Sequence, residues 1–275
     1  VSGSLEGAVV TGAGRGLGRL IAALLAERGH RVLVTDIDAA AARATAEELG
    51  PDVLWAALDV RDEEAVAAVR DRAVAETGGL GVWVNNAGVL LTGPAWDQSP
   101  AARRLMLEVN TLGTINGTVA AIEAMRGTGG HIVNIVSLAG LTAVPGEAVY
   151  AASKHAAIGF SVSTLADLRL AGTKDIDISC VCPDGIWTPM LHDKLDDPAS
   201  ALSFSGRLLR PADVVAAVRK VLDRPRPVTA VPGRRGLQAR LAGALPALGL
   251  RALPLMVAKG RRVQRRMLAE ARRDG

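Results

Sequence analysis

The only tyrosine of this 275-residue chain, Tyr150, stands four residues before a lysine in Val149-Tyr150-Ala151-Ala152-Ser153-Lys154. On a helix, residues four apart lie on one face, a turn from each other, and the small residues between them leave that face open. A phenol with an ordinary pKa of about 10 becomes a usable acid/base near neutrality when positive charge favours its anion. Lowering it by roughly three units takes about 4 kcal/mol of differential stabilisation, which a buried ammonium and a second positive charge can supply together. Alone, a Tyr-x3-Lys pair describes many ordinary helix faces. Its meaning depends on what precedes it.

What precedes it is a regular alternation of strands and helices. Ala8-Val9-Val10-Thr11 is an apolar run that enters Gly12-Ala13-Gly14-Arg15-Gly16-Leu17-Gly18 and then a helical pattern. Strand, glycine turn and helix is the context in which backbone N–H groups cradle a dinucleotide pyrophosphate at a helix N-terminus. Gly12, Arg15, Gly16, Leu17 and Gly18 are therefore candidate cofactor residues, with the Thr11 hydroxyl as a brace for the turn. A second strand, 31–36, ends on Asp36, where a dinucleotide fold places the carboxylate that binds the adenosine ribose. Ile37 follows, so no adjacent cation welcomes a 2′-phosphate. Arg15 argues the other way, because a basic residue in the glycine loop could reach that phosphate. The balance favours NAD over NADP.

Further helices are expected at 39–49, 62–77, 103–125, 149–171 and 213–222, and further strands at 53–58, 80–84, 131–137, 177–181 and 227–231. Such alternation implies a doubly wound parallel sheet with helices on both faces. Thr11-Gly12-x3-Gly16-x-Gly18, Asn85-Asn86-Ala87-Gly88, Asn110, Ser137 and Tyr150-x3-Lys154 together resemble the single-domain short-chain dehydrogenase/reductase family, from about Leu5 to Val231. The resemblance implies a seven-stranded Rossmann-type sheet, with Asp59 and Val60 at the adenine and Asn86, Ala87 and Gly88 beside the cofactor. It further implies that the Asn110 backbone binds a water linked to Lys154 in a proton relay. Pro183, Gly185, Ile186 and Thr188 match a segment that holds the nicotinamide carboxamide and the phosphates. Asp184 departs from the family's usual glycine. It would either force a different backbone angle or offer a carboxylate to a substrate hydroxyl.

Asn110, Ser137, Tyr150 and Lys154 are the candidate catalytic residues. Tyr150 would act as the base that takes an alcohol proton while hydride passes to NAD+. Ser137, at a strand's carboxyl end, would orient the substrate oxygen. Leu138, Asp184, Trp187, Met190 and Leu191 are candidate substrate contacts. The irregular segment 187–209, with Leu195, Leu202 and Phe204, would be a lid facing Leu90, Leu91, Leu141 and Val144. The expected substrate is a bulky, apolar secondary alcohol or ketone. Two alternatives remain: an NAD(H)-sensing binding protein without catalysis, and a nucleotide-sugar epimerase or dehydratase.

Half of the chain is apolar, enough for a large core, and aromatic residues make up only 3%. Cys180 and Cys182 alternate within an apolar run, as core thiols in a reducing compartment would. No metal-ligand spacing occurs. The chain starts at Val1 without a methionine, so residues could precede it; we expect no signal peptide in it, and no apolar run is long enough to span a bilayer. A cytoplasmic location follows as the expectation. The net charge of +4 is uneven. Residues 234–275 hold 11 Lys/Arg against 2 Asp/Glu, leaving 21 against 26 for the rest. We expect a catalytic domain at 1–233 and a basic helical extension at 234–275. In that extension Leu241, Ala244, Leu245 and Leu248 form one apolar face, broken by Pro246 and Pro254. Val263, Met267 and Ala271 form another, opposite arginines. The extension could dock on the acidic body, on another subunit or, as a peripheral membrane contact, on anionic lipid. No nucleic-acid-reading motif is present. The family resemblance implies a homotetramer or homodimer through the two long helices.

Overall fold

Seven short apolar runs become the strands β1 (Gly7–Thr11), β2 (Arg31–Asp36), β3 (Leu54–Ala57), β4 (Leu80–Asn85), β5 (Gly130–Ile135), β6 (Ile176–Pro183) and β7 (Val228–Val231). The structure, a computed structural model, describes residues 6–274, with backbone alone from 271. Leu5 and the side chain of Ala271 thus lie outside the described part. All strands pair in parallel, in the order β3-β2-β1-β4-β5-β6-β7. Parallel neighbours need crossover connections, and here helices supply them: α1 (Gly16–Glu27), α2 (Ala39–Leu49), α3 (Glu63–Thr77), α4 (Pro100–Leu107), α5 (Gly113–Met125), α6 (Ala148–Leu170), the short α7 (Pro189–His192) and α8 (Pro211–Asp223). The expected seven-stranded, doubly wound α/β sheet is what the chain forms.

Alternation along each strand divides the core in two. Val10, Val34 and Val133 pack with Ile21 and Leu25 of α1 and Val218 of α8 on one face. Their neighbours Val9, Leu33 and Ile132 pack with Val69 of α3 and Met125 of α5 on the other. A strand buried on both faces must read as nearly continuous apolar sequence, and β1 is buried throughout. Cys180 and Cys182 are free, buried side by side on one face of β6.

The single helix expected over 103–125 is divided. A π-helical turn, Glu108–Leu112, joins α4 to α5. Such turns widen the helix by one residue and commonly mark functional positions. Here the turn carries Asn110 into the interior, and the Thr114 hydroxyl donates to the Asn110 carbonyl at 2.9 Å.

Residues beyond β7 form α9 (Gly233–Ala244) and α10 (Pro246–Asp274). Both pack against the body. Pro246 opens α10 and Pro254 lies inside it without ending it. Glycines allow the close approach: a Cβ on Gly243 would meet the Leu141 carbonyl at 2.5 Å, and one on Gly260 would overlap the Ala201 carbonyl. The buried Gln264 amide donates to the Asp197 carbonyl at 2.9 Å, tying α10 to the 3-10 segment Pro198–Phe204. Leu241, Leu245 and Leu248, expected as one apolar face, are instead turned to solvent. Small residues of the opposite side, such as Ala239 and Gly243, make the inward contacts. Among the described residues no helix is long and apolar enough to cross a membrane, and no cluster of side chains could hold a metal ion.

Candidate active site

The strand order reverses between β1 and β4, and at such a switch point the two flanking crossovers diverge and leave a crevice at the strands' carboxyl ends. A cavity of about 1370 Å³ occupies that crevice. Its cofactor end is built from β1, β2 and β4. Gly12 and Gly16 have φ of +61° and +59°, left-handed conformations that a side chain disfavours. A Cβ on Gly18 would sit 2.3 Å from the Gly12 carbonyl and 2.5 Å from the Asn86 amide. Thr11 braces the turn as expected, its Oγ1 accepting from the Asn86 and Ala87 backbones at 3.0 and 3.1 Å. The helices α2 and α3 are capped by Asp38 and Asp62, whereas Arg15 gives α1 no side-chain cap. The first N–H groups of α1 thus stay available to an anion in the cavity.

Arg15, Leu17, Asp36, Ile37, Asp59, Val60 and Gly88 line the same end. Asp36 Oδ2 accepts from the Gly14 backbone at 2.9 Å, which locks the carboxylate beside the glycine turn. Ile37 is 69% exposed at its rim. Arg61, which sequence reasoning passed over, donates in a fork to both oxygens of Asp59 at 2.5 to 3.0 Å. The guanidinium holds the Asp59 carboxyl below its ordinary value. A cradle that glycine alone can form, unpaired helix N–H groups and a carboxylate at the β2 terminus fit an adenine dinucleotide.

At the cavity's other end stand Ser137, Tyr150 and Lys154. The ammonium of Lys154 lies 5.7 Å from the centre of the Tyr150 ring and donates to the Ile135 carbonyl at 3.2 Å. Burial pushes Lys154 down to about 8, and the Cys182 and Cys180 thiols oppose this. The Tyr150 hydroxyl is pushed above its ordinary 10 by burial first and by the Glu147 carboxylate second, with Ser137 acting against both. The chain's own groups therefore do not make this phenol acidic, contrary to what Lys154 alone would suggest. Asn110 is fully buried and does not line the cavity. Its amide clamps both backbone groups of Val89, at 2.8 and 2.9 Å, and donates to Ser153 at 3.0 Å. It nevertheless borders the lysine, since a Cβ on Gly88 would come within 3.2 Å of Asn110 and 3.6 Å of Lys154.

Pro183, Asp184, Gly185, Ile186 and Thr188 line the cavity after β6. Asp184 neither adopts a positive φ nor stays free. Its carboxylate is paired by Arg235 of α9 at 2.8 Å. The carboxylate expected to meet a substrate hydroxyl thus shares Oδ2 with a tail cation while it lines the cavity. Leu138, Met190, Leu191 and Leu202 face the cavity, as do Leu90, Leu91 and Val144 opposite. Trp187, Leu141, Leu195 and Phe204 do not. Trp187 instead packs against His192, the ring centres 3.9 Å apart and the planes tilted by 51°, and Phe204 is fully buried in the core.

Two further contributions escaped sequence reasoning. The tail forms a wall, with Gln238, Ala239, Ala242, Leu253 and Met256 lining the cavity. Glu147, three residues before Tyr150, is buried in the cavity wall and accepts from Ser203 at 2.6 Å. Burial pushes its carboxyl up to about 7, Ser203 opposes this, and Asp197 and Asp184 add to it. A glutamate in a helix-start loop gives no sign of burial in sequence.

A parallel switch-point sheet with a glycine cradle at one end of its crevice and a tyrosine–lysine pair at the other defines a nucleotide-dependent oxidoreductase site. The chain belongs to the short chain dehydrogenase family, whose pattern it matches over residues 6–199. It is 39% identical over 196 residues to the sex determination protein tasselseed-2 of Zea mays, covering 67% of this chain but only 56% of that protein. It is 36% identical over 192 residues to trans-4-hydroxycyclohexanecarboxylate dehydrogenase of Sinomonas cyclohexanicum, covering 66% and 73%. A short chain dehydrogenase/reductase from Burkholderia phymatum, solved in complex with NAD, superposes with a TM-score of 0.79 at 28% identity, covering 90% of this chain and 96% of that one.

Proposed function

We propose that this protein transfers hydride reversibly between NAD and a secondary alcohol or ketone with a bulky, apolar body. The observation that carries this is the convergence of Ser137, Tyr150 and Lys154 on one wall of a cavity whose far end is a glycine cradle. Bound NAD supplies the hydride acceptor and a positively charged ring beside the phenol. The chain does the rest. The Ser137 hydroxyl holds the substrate oxygen, and Tyr150, ionised as its phenolate, takes the alcohol proton at its oxygen. Lys154 stabilises the phenolate and passes the proton toward Asn110, whose side chain also fixes the Val89 backbone in that corner. Gly12, Gly16, Leu17 and Gly18 hold the pyrophosphate, and Asp36 the adenosine ribose. Asp59 and Val60 border the adenine, and Ile186 and Thr188 the nicotinamide end. Ile37 and the Asp36 carboxylate favour NAD over NADP.

Leu90, Leu91, Val144 and Leu202 support an apolar substrate. The region 1–233 acts as the catalytic domain, and 234–275 is the extension that closes its substrate end. Leu107 and Leu112, exposed on the helices flanking the site, support a homodimer or homotetramer. An NAD(H) sensor has no use for a complete Ser-Tyr-Lys set, and an epimerase usually has a different glycine spacing and a larger C-terminal domain. Turnover of a panel of secondary alcohols with NAD+ and NADP+ tests the reading. Tyr150→Phe should abolish turnover and keep cofactor binding. Retained turnover refutes the role given to the phenol.

A further inference from the structure

We propose that Glu147 is a second substrate contact, one that selects alcohols carrying a further hydrogen-bond donor, a hydroxyl or an ammonium, and rejects those carrying a carboxylate. This rests on the oxidoreductase reading and names the class of substrate that the same cavity takes.

Glu147 is 2% exposed, and it still lines the cavity. Its backbone is fixed on three sides. Its N–H donates to the Val144 carbonyl at 3.0 Å, its carbonyl accepts from Ala151 at 2.7 Å, and the preceding Gly146 carbonyl accepts from Gly93 at 2.8 Å. Gly146 is also pressed against Ala199, where its missing Cβ would overlap the Ala199 carbonyl. The side chain is therefore aimed by the fold. Oε1 accepts from Ser203. Among the described residues no donor reaches Oε2 and no cation pairs with the carboxylate, while Asp184, a part-buried carboxylate on this wall, has Arg235.

Oε2 has no protein donor and is not sealed off, since among the described residues only Gln98 Oε1 and Thr229 Oγ1 are buried side-chain atoms without a partner; it is open to accept from a molecule in the cavity. Anchoring the Pro198–Phe204 segment through Ser203 does not need this residue type, because a neutral acceptor would hold that hydroxyl as well. What the carboxylate adds is the capacity to accept a charge-assisted hydrogen bond from inside the cavity and to repel an anion. The wall around it is apolar, with Leu90, Leu91, Val144 and Leu202, so a ring or chain could lie there with one donor directed at Oε2. Tyr150 is one helical turn away. The reacting oxygen and the second donor would thus be read by neighbouring residues of one helix start.

The test is a series on one ring: cyclohexanol, the 3- and 4-hydroxycyclohexanols, the 3- and 4-aminocyclohexanols and the corresponding hydroxycyclohexanecarboxylates. Both kcat/KM and ligand-observed NMR binding are read at pH 8.5, where Glu147 is ionised, for the natural protein, Glu147→Gln and Ser203→Ala. At least one donor-bearing ring should exceed its carboxylate counterpart about tenfold or more in the natural protein, as a charge-assisted bond implies. Glu147→Gln should collapse that ratio, and Ser203→Ala, which keeps the carboxylate, should preserve it. An equal preference for both rings, a ratio unchanged in Glu147→Gln, or a collapse in Ser203→Ala overturns the proposal. If no alcohol turns over with either cofactor, the oxidoreductase reading falls, and the binding ratios still decide the contact at Glu147.

Discussion

Replacing Glu147 with glutamine should stabilise the protein at pH 8 and leave it nearly unchanged near pH 4.5. The carboxyl has an ordinary value of 4.5, and burial pushes it up to about 7 in the folded chain. Between these values the folded state binds more protons than the unfolded state, so the contribution of Glu147 falls as pH rises through that window. Below 4.5 both states are protonated, and nothing is lost. Above 7 the folded protein carries the full cost of a buried carboxylate. At about 1.4 kcal/mol per unit, that cost is on the order of 3 kcal/mol. Glutamine keeps an acceptor for Ser203 and removes the charge, so the variant should gain up to that amount at pH 8. For a chain of this size the gain corresponds to a rise in Tm of roughly 6 °C. Urea unfolding of both proteins at half-unit steps from pH 4.5 to 8.5 is the assay, and the quantity read is the difference between them. A difference flat in pH, or a variant uniformly less stable, would refute the reasoning, because the carboxyl would then be solvated or paired in the folded state.

Other perturbations test other parts of the site. Asp36→Ala combined with Ile37→Arg should shift cofactor preference toward NADP by at least tenfold in kcat/KM, since a carboxylate that repels a 2′-phosphate gives way to a cation that binds it; an unchanged preference would show that the ribose is read elsewhere. Arg235→Ala leaves the part-buried Asp184 carboxylate without its partner and should cost about 1 to 2 kcal/mol in urea unfolding. Asp184→Gly in the same chain should restore most of that loss, and additive losses would mean that the pair is not coupled. Gly18→Ala, which drives a Cβ into the Gly12 carbonyl and the Asn86 amide, should weaken cofactor binding at least tenfold by fluorescence titration, with little change in affinity meaning that the turn can shift.

Much of this molecule is legible in the sequence alone, because its signals are local. The alternation of apolar runs with helical patterns specifies a parallel sheet. Gly12 to Gly18 can serve only where backbone must approach a ligand, and Asp36 falls at the end of β2 by its spacing alone. Tyr150 and Lys154 share a helix face whatever the rest of the chain does. What the sequence could not settle depends on pieces far apart in the chain. Asp184 reads as a free carboxylate until Arg235, 51 residues later, closes on it. Asn110 reads as one position in a straight helix, and a π turn makes it a buried clamp for Val89. Glu147 looks like an ordinary polar residue before a helix, and only the packing of Ala199 and Ser203 over it removes its water. Even the tyrosine follows this division. Its place beside the lysine is a matter of helical periodicity, but its proton affinity is set by burial, and burial is a property of the assembled fold.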